Sequence, residues 1–365
     1  MIYFFYIIFS FLILRFSVTL FNFISNPKLT TTVKNYNDLV SVLIPARNEQ
    51  NDILTLLHSL QKQNYQAIEV IIFDDASTDN TLAICQSFCK TDKRFTIIGE
   101  SQLPIGWMGK NHACHQLAQR ANGKYFLFLD ADETVSNGLI NNAIHRMVIG
   151  KLALLSLFAN QTMLSLGEKL VVPLMHFLLL NLLPLRLVKL SKNPSFAAAS
   201  GQFMLFDAAI YKAQCWHKQV KNKVVEDIEI MKKVKQLGHT GETLLANNYL
   251  HCRMYKSYGQ GLNGFSKNLL AGFGGSYLGL SVFTLFITLG FPVIVYCLNS
   301  QLVLLALTLI LLTKVMVSYM AGQNIISNII LHLAQFFTLL LLSILSIYKS
   351  ITKTQAWKGR SINGY

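Results

Sequence analysis

The stretch Lys124-Tyr-Phe-Leu-Phe-Leu-Asp130-Ala-Asp132 is an apolar run that ends in two carboxylates one residue apart. The apolar and aromatic residues after Gly123 predict a buried strand whose carboxyl end carries charge. Carboxylates at positions i and i+2 can both face a cleft, where their hard oxygens suit Mg²⁺ or Mn²⁺ carrying a substrate phosphate. Taken alone, Asp130 and Asp132 would more often start a turn or cap a helix, so their interpretation depends on the rest of the chain.

The residues before this stretch alternate between apolar runs and helical patterns. Residues 40–44 run into Pro45-Ala-Arg-Asn-Glu49, and an amphipathic helix is predicted from there to about Gln63. Residues 68–73 run into Asp74-Asp-Ala-Ser-Thr-Asp79, which suits a helix start at about Asn80. A further strand is predicted at residues 95–98.

Strands separated by helices indicate an α/β fold with a parallel sheet covered on both faces. The ligand crevice of such a sheet lies at the carboxyl ends of its strands. The polar clusters that begin at Pro45, Asp74 and Asp130 all follow strands, so they are predicted to share that edge. Each cluster alone is ordinary turn chemistry, but three on one edge predict a shared binding site.

Apolar residues are concentrated in blocks near the two ends of the 365-residue chain, whose mean hydropathy is +0.39. Residues 1–25 are almost wholly apolar, interrupted by Arg15, and predict a membrane anchor. The run has neither a basic amino-terminal flank nor a small-x-small site, so an uncleaved anchor is expected rather than a signal peptide. Lys28 and Lys34 follow it, which places the next domain in the cytosol by the positive-inside rule.

The chain has 32 Lys and Arg against 18 Asp and Glu, with a dense surplus between Lys218 and Lys235. Beside membrane segments, attraction to anionic lipids explains this surplus more simply than nucleic acid does, so no nucleic-acid partner is predicted. The six cysteines lack Cys-x-x-Cys spacing, and neither Cys85 with Cys89 nor Cys114 completes a zinc site. They are interpreted as reduced packing residues, without a disulfide framework.

Two further apolar regions bear on membrane topology. Residues 170–190 are interpreted as an interfacial helix, because a single crossing there would put Asp130 and the later carboxylates on opposite sides of the bilayer. A buried helix of the soluble core is the alternative. Residues 276–348 contain three apolar runs, at 280–298, 302–320 and 325–347, before a basic tail at 349–365. Three crossings would leave that tail outside, so a hairpin of the first two runs with a re-entrant or interfacial third run is preferred.

The ordered motifs Pro45-Ala-Arg-Asn-Glu49, Asp74-Asp-Ala-Ser-Thr-Asp79, Gly109-Lys-Asn111 and Asp130-Ala-Asp132 resemble those of glycosyltransferase family two, which has the GT-A nucleotide-sugar fold. The resemblance covers residues 40–258 and implies a cytosolic catalytic domain at residues 38–260. The ordered set is far more specific than any single motif.

The resemblance also implies roles for individual residues. Asp132 would be the metal ligand, and Asp227 would be the general base. The acceptor pocket would include Gly201 and Gln202. The residues that would contact the nucleotide sugar are Pro45, Ala46, Glu49, Asp75, Lys110, Asp130 and Arg253. Without the neighbouring motifs, Lys110 would be interpreted as a solvated lysine at the start of a helix. Glu226 and Asp227 would be interpreted as acidic residues that stabilise the amino terminus of a helix.

His251-Cys-Arg-Met-Tyr255 loosely resembles the Gln-x-x-Arg-Trp element of membrane-bound members, with Met254 where the Trp would be. Polymer synthases tend to keep that aromatic residue, so its absence favours a single transfer. Trp357-Lys-Gly-Arg360 is similar to a motif of the branch that acts on carotenoid-type and hopanoid-type lipids, although an interfacial Trp with two cations explains it equally.

The expected activity is transfer of one hexose, glucose from UDP-glucose, to an isoprenoid, carotenoid-type or other membrane lipid with inversion. It would use a divalent metal. Two alternatives remain: a polysaccharide synthase, which needs more spans, and an inactive nucleotide-sugar-binding scaffold.

Overall fold

The computed structural model describes residues 2–99, 102–297, 300–352, 354, 356–357 and 360–361. The chain forms two compact units. The sheet unit comprises Pro27–Asn160, Leu185–Arg253 and Ala356–Tyr365, and the helical unit comprises Met1–Asn26, Gln161–Pro184 and Met254–Gln355.

Strands and helices alternate through the first part of the sheet unit. The strands are β1 (Val40–Ala46), β2 (Ile68–Asp74), β3 (Phe95–Gly99), β4 (Tyr125–Leu129), β5 (Glu133–Val135), β6 (Leu154–Phe158), β7 (Asn160–Gln161), β8 (Phe203–Asp207), β9 (Gly241–Leu245), β10 (Leu250–Cys252), β11 (Ala356–Trp357) and β12 (Arg360–Ser361). The helices are α1 (Ile2–Ser25), α2 (Ile53–Gln61), α3 (Thr81–Cys89), α4 (Gly109–Arg120), α5 (Leu139–Gly150), α6 (Leu166–Val171), α7 (Pro173–Leu182), α8 (Arg186–Leu190), α9 (Ala208–Gln214), α10 (Trp216–Gln219), α11 (Glu226–Gln236), α12 (Tyr258–Gly272), α13 (Tyr277–Cys297), α14 (Ser300–Met320), α15 (Ile325–Ile330) and α16 (His332–Ile351).

The main sheet has seven strands in the order β3-β2-β1-β4-β8-β6-β9. Neighbouring strands are parallel except β8, which runs antiparallel to both β4 and β6. The predicted α/β class and its mostly parallel sheet are therefore confirmed. All five residues of β4 are buried, as expected for a strand covered on both faces.

Gly123 allows the start of β4 to lie close against β1. A Cβ atom there would lie 2.6 Å from the backbone nitrogen of Ser41 and 2.8 Å from the carbonyl oxygen of Leu39. The amide of Gly123 donates instead to the Ser41 hydroxyl at 2.8 Å. This close approach fixes the pairing of β1 with β4, the strand that leads to Asp130.

The register of the central strands brings their carboxyl ends to one edge. Ala46 at the end of β1 lies opposite Asp74 at the end of β2, and Leu43 lies opposite Phe128 of β4. The segments that begin at Arg47, Asp75 and Asp130 therefore leave the same edge of the sheet. This confirms the predicted convergence of the three polar clusters.

A smaller sheet begins directly after Asp132. Its strands β5 and β10 pair antiparallel, with Glu133 opposite Cys252 and Val135 opposite Leu250. The pairing brings Cys252 close to Asp132, although they are 120 positions apart in sequence. The Cys252 sulfur lies 3.6 Å from an Asp132 oxygen.

The region predicted as one interfacial helix, residues 170–190, instead contains parts of α6, α7 and α8. Pro173 begins α7, and Leu183 before Pro184 has an extended backbone, which the following proline ring favours. Within the helical unit, α7 packs against α1, where Asn22 donates to the Leu180 carbonyl at 3.0 Å. That the region lies in the membrane interface stays a prediction.

Three helices are long and apolar enough to cross a membrane among the residues that the structure describes: Tyr6–Ser25, Ser300–Met320 and His332–Ile351. The last run, predicted to be re-entrant or interfacial, is therefore long enough to span. The first C-terminal run forms α13, which passes the same test together with α12 across a 111° bend. The first two runs form the consecutive helices α13 and α14, and their arrangement as a membrane hairpin stays a prediction. In the predicted Trp357–Arg360 motif, Lys358 and Gly359 lie outside the described residues.

Candidate active site

Lys110 lies at the centre of an acidic cluster at the carboxyl edge of the sheet. Its ammonium group is 2.7 Å from an Asp130 oxygen and 3.1 Å from a Glu226 oxygen. Burial alone would lower the pKa of Lys110, but the two carboxylates outweigh burial and hold the pKa well above its usual value. Lys110 is therefore a fixed cation rather than a solvated lysine.

Asn111, the next residue on α4, anchors the segment that leads to α11. Its side-chain amide donates to the carbonyl oxygens of Val220 at 2.9 Å, Lys223 at 3.0 Å and Lys221 at 3.3 Å. Asn111 is 1% exposed, so these bonds are shielded from water. The same helix turn thus carries Lys110 and holds in place the chain that supplies Glu226.

Asp227 lies in the first turn of α11, where a negative charge is favoured by the helix dipole. Its carboxylate accepts hydrogen bonds from the Gly201 amide at 2.9 Å and from its neighbour Ile228 at 2.8 Å. Burial, followed by the negative charge of Glu226, raises the pKa of Asp227 to about 7, against the opposing effects of Lys110 and these donors. A carboxylate with such a pKa can accept a proton near neutral pH.

Gly201 lies among the charged groups because it has no side chain. A Cβ atom at this position would be 2.7 Å from the Lys110 nitrogen and 3.1 Å from a Glu226 oxygen. The next residue, Gln202, is 5% exposed, and its carbonyl oxygen accepts from the Asp130 amide at 3.4 Å. The predicted acceptor residues therefore adjoin the acidic cluster.

The loops after β1 and β2 are bonded to each other. The Asp75 amide donates to the Ala46 carbonyl at 2.9 Å, and the Arg47 guanidinium donates to the Asp75 carbonyl oxygen. The Glu49 amide donates to the Thr81 hydroxyl at 2.7 Å. Together with Pro45, which lies opposite Phe73 in the register, these bonds fix the predicted nucleotide residues at the sheet edge.

Asp132, Glu133 and Cys252 form a group whose potential ligand atoms lie within 4.8 Å of one another. Glu133 is 1% exposed, and neither of its carboxylate oxygens has a hydrogen-bond partner among the described residues. Burial, with the charges of Asp132 and Asp130, raises the pKa of Glu133 well above its usual value. A divalent cation would compensate these carboxylates, so the residues present fit a hard metal ion.

The predicted site residues fall into three groups. The first contains Lys110, Asp130, Gly201, Gln202 and Asp227, and the third contains Pro45, Ala46, Glu49 and Asp75. The second contains Asp132, which contacts Cys252, the residue before Arg253.

Sequence reasoning missed Glu226 as a partner of Lys110, Asn111 as an anchor, and Glu133 as a buried acid. The signal that could have found them is position in the sequence: Glu226 precedes Asp227, Asn111 follows Lys110, and Glu133 follows Asp132. Cys252 was interpreted as a packing residue, but it lies beside Asp132. Cysteines 85, 89, 114, 215 and 252 are all free, as predicted.

Residues 41–212 match the sequence model of the family described as glycosyl transferase family 2. The chain carries a glycosyltransferase family 2 domain. The match contains the motifs from Pro45 to Asp132 and the Gly201 segment, so the resemblance on which the residue roles depend is confirmed for this part of the chain.

Two curated bacterial proteins are similar to part of this domain. A 4,4'-diaponeurosporenoate glycosyltransferase of Staphylococcus aureus (strain N315) is 35% identical over 108 residues, which are 29% of this chain and 28% of that protein. The putative teichuronic acid biosynthesis glycosyltransferase TuaG of Bacillus subtilis (strain 168) is 35% identical over 99 residues, which are 27% of this chain and 38% of that protein. The chain thus aligns with 28% of one relative and 38% of the other, well under two thirds of either.

A solved structure shares the fold over nearly the whole length of this chain. The mannosyltransferase PcManGT from Pyrobaculum calidifontis, in complex with GDP-Man and Mn²⁺, superposes with a TM-score of 0.55 at 16% identity, covering 95% of this chain and 98% of that one. At this identity the likeness establishes the GT-A-like fold alone.

Proposed function

We propose that this protein is a membrane-anchored, inverting glycosyltransferase that moves a single hexose, glucose from UDP-glucose, to a lipid acceptor. The observation that carries the proposal is the position of Asp227. This carboxylate has a pKa of about 7, lies in a family 2 domain, and is hydrogen-bonded to Gly201 beside Lys110 and Asp130. The three helices that are long enough to span a membrane support a lipid-facing enzyme.

On the donor side, Asp75 and its bonded neighbours in the loops after β1 and β2 would hold the nucleotide. Asp132, with Glu133 beside it, would hold a divalent ion, Mg²⁺ or Mn²⁺, and Arg253 would pair with the diphosphate through its planar guanidinium. When bound, the ion supplies positive charge that stabilises the departing nucleoside diphosphate. The fold neighbour PcManGT holds GDP-Man with Mn²⁺, which agrees with this division of roles.

On the acceptor side, Asp227 would take the proton of a hydroxyl as its oxygen bonds to the anomeric carbon. The bond from that carbon to the diphosphate oxygen breaks in the same displacement, which inverts the configuration. Lys110 holds Asp130 and Glu226 in place, so that the base stays in position. An acceptor that is a carboxylic acid is already ionised at neutral pH and has no proton to give.

The acceptor class is inferred from the apolar helices. The Staphylococcus aureus relative is named for 4,4'-diaponeurosporenoate, whereas the Bacillus subtilis relative is named for teichuronic acid biosynthesis. The apolar helices of this chain favour the lipid. We also propose that the catalytic domain faces the cytosol, because Lys28 and Lys34 follow the first span.

The experiment is to incubate the purified full chain with a panel of nucleotide sugars and a bacterial lipid extract, and to identify glycosylated products by mass. The expected product is one lipid heavier by a single hexose, formed from UDP-glucose with Mg²⁺ or Mn²⁺. A ladder of hexose additions would indicate a polysaccharide synthase instead. Nucleotide-sugar binding without any product would indicate a scaffold.

A further inference from the structure

Two cationic side chains lie inside the candidate membrane spans of the helical unit. Arg15 is near the midpoint of the span Tyr6–Ser25, and Lys314 lies within the span Ser300–Met320. Lys314 is 5% exposed. Charged residues inside membrane segments are costly and mostly serve binding or transport, so their partners are informative.

Both cations lie against one aromatic ring. The Arg15 guanidinium is 5.3 Å from the centroid of the Phe177 ring, and the Lys314 ammonium is 5.0 Å from the same centroid. Arg15 also lies 5.5 Å from the Phe11 ring. His332 is within electrostatic range of both cations. Arg15 and Lys314 thus form one cationic cluster around Phe177, with the His332 imidazole nearby.

No carboxylate of the helical unit compensates this cluster. The three sequence segments of the unit contain a single acidic residue, Glu168. Glu168 accepts hydrogen bonds from the Leu164 amide at 2.8 Å and the Ser165 hydroxyl at 2.9 Å in a capping box at the start of α6. It is therefore occupied by backbone and hydroxyl donors.

The neutral partners satisfy only part of the cluster. Lys314 donates to the Gln335 side-chain oxygen, while the Gln335 amide donates to Asn328 at 2.9 Å and to the Lys169 carbonyl at 2.8 Å. The Arg15 Nε atom is buried and has no hydrogen-bond partner among the residues that the structure describes. Lysine can escape such an environment by losing its proton, but arginine stays charged.

Cation–π contacts offset a fraction of what it costs to hold a charge away from water, and they leave guanidinium donors unused. An oxyanion would both pair with the charge and accept from the free donor. We propose that Arg15, Lys314 and His332 bind the anionic head, a phosphate or carboxylate, of a membrane lipid whose tail lies among the helices. This proposal does not depend on the proposed sugar transfer.

The experiment uses the full chain in a nonionic detergent and three probes with one tail: oleyl phosphate, oleate and oleyl alcohol. Native mass spectrometry measures the fraction of protein that retains each probe. We expect the two anionic probes to be retained about tenfold more than the alcohol, which corresponds to a hydrogen bond to a charged group. Equal retention of all three by the wild-type protein would overturn the proposal.

Substitutions test which residues carry this preference. Arg15→Met and Lys314→Met are expected to lower retention of oleyl phosphate to that of the alcohol, whereas Lys256→Met, at an exposed lysine of the same unit, leaves it unchanged. Competition by excess inorganic phosphate that removes the lipid would assign the site to a free ion and contradict a lipid ligand.

Thermal unfolding in the absence of lipid distinguishes binding from a structural role. An uncompensated cation destabilises the fold, so Arg15→Met and Lys314→Met are expected to melt no lower than the wild type when followed by circular dichroism. If both variants melt lower and still retain oleyl phosphate tenfold over the alcohol, the cations are structural and the proposal is wrong.

Discussion

Two groups of buried charges in the sheet unit differ in how their charges balance. Arg146 of α5 and Glu242 of β9 form a pair in which Nε and a terminal nitrogen each lie 2.6 Å from a carboxylate oxygen. In the active-site group, the single ammonium of Lys110 contacts Asp130 and Glu226, and Asp227 lies just beyond. The first group has a bidentate ion pair with a second cation, Arg186, 3.8 Å from the same carboxylate, while the other group has an excess of carboxylates.

The comparison separates a carboxylate that is fully paired within the fold from carboxylates that are not. Glu242 has Arg146 as its bidentate partner and Arg186 nearby. The active-site group remains short of positive charge, which a metal ion or a proton can supply, and this is consistent with the raised pKa of Asp227. The cluster around Phe177 in the helical unit shows the opposite imbalance, with an excess of cations.

The largest expected effect is at the base itself. Asp227→Asn keeps the shape of the side chain but cannot take a proton, so we expect kcat for a hydroxyl acceptor to fall by about 10²–10⁴-fold. Affinity for UDP, measured by titration calorimetry, should be retained. Glu229→Gln, two residues further along α11, is the matched control, because Glu229 pairs only locally with Lys232 at 2.7 Å. Equal losses in both variants would remove Asp227 from its proposed role.

Breaking the Arg146–Glu242 pair should affect stability instead of chemistry. Arg146→Met removes the bidentate partner of the Glu242 carboxylate, which is 1% exposed, and leaves Arg186 at 3.8 Å as its remaining cation, so we expect a loss of up to about 3 kcal/mol in the free energy of unfolding. The control is Lys124→Met, whose pair with Asp38 is largely exposed. That change should cost less than about 1 kcal/mol in denaturant melts. Comparable costs for both would show that Glu242 is compensated by other groups.

Asn111→Ala tests whether the loop before α11 must be anchored. The substitution removes three hydrogen bonds to residues 220–223, and we expect a loss of about 1–3 kcal/mol in stability. We also expect a fall in kcat, because Glu226 and Asp227 follow the loosened segment. Unchanged kcat together with reduced stability would limit Asn111 to a structural role.

The smallest effect concerns pH. Asp227 has a raised pKa of about 7, so its carboxylate form, which accepts the proton, is lost as the pH falls through that value. We expect kcat/KM for a hydroxyl acceptor to decrease about tenfold per unit below pH 7. For a carboxylic-acid acceptor, we expect no such decrease in kcat/KM above pH 5. A flat profile for the hydroxyl acceptor would separate Asp227 from the proton transfer.

The strands and their polar ends could be predicted because each signal is local. The apolar run before Asp130 and the turn chemistry after residues 44 and 73 determine elements without distant contacts. The family resemblance then correctly indicated the mostly parallel sheet.

What could not be predicted depends on long-range pairing. From the sequence, Glu133 is a polar residue at the start of a strand. Its burial results from the pairing of β5 with β10, in which Glu133 lies opposite Cys252. The contact of Lys110 with Glu226 joins residues over a hundred positions apart, for which periodicity gives no signal. Pro173 and Pro184 indicate that the 170–190 region is divided into several helices. Its high hydropathy predicts a single helix instead.

The most direct test of the account is calorimetric titration of the purified full chain with UDP-glucose, with Mn²⁺ and with EDTA. The account predicts that binding requires Mn²⁺, that Asp132→Asn weakens it by about tenfold or more, and that Glu229→Gln binds as the wild type does. Equal affinity in EDTA and in Mn²⁺, with Asp132→Asn unaffected, would contradict the proposal that these acids converge on one cation and one sugar donor.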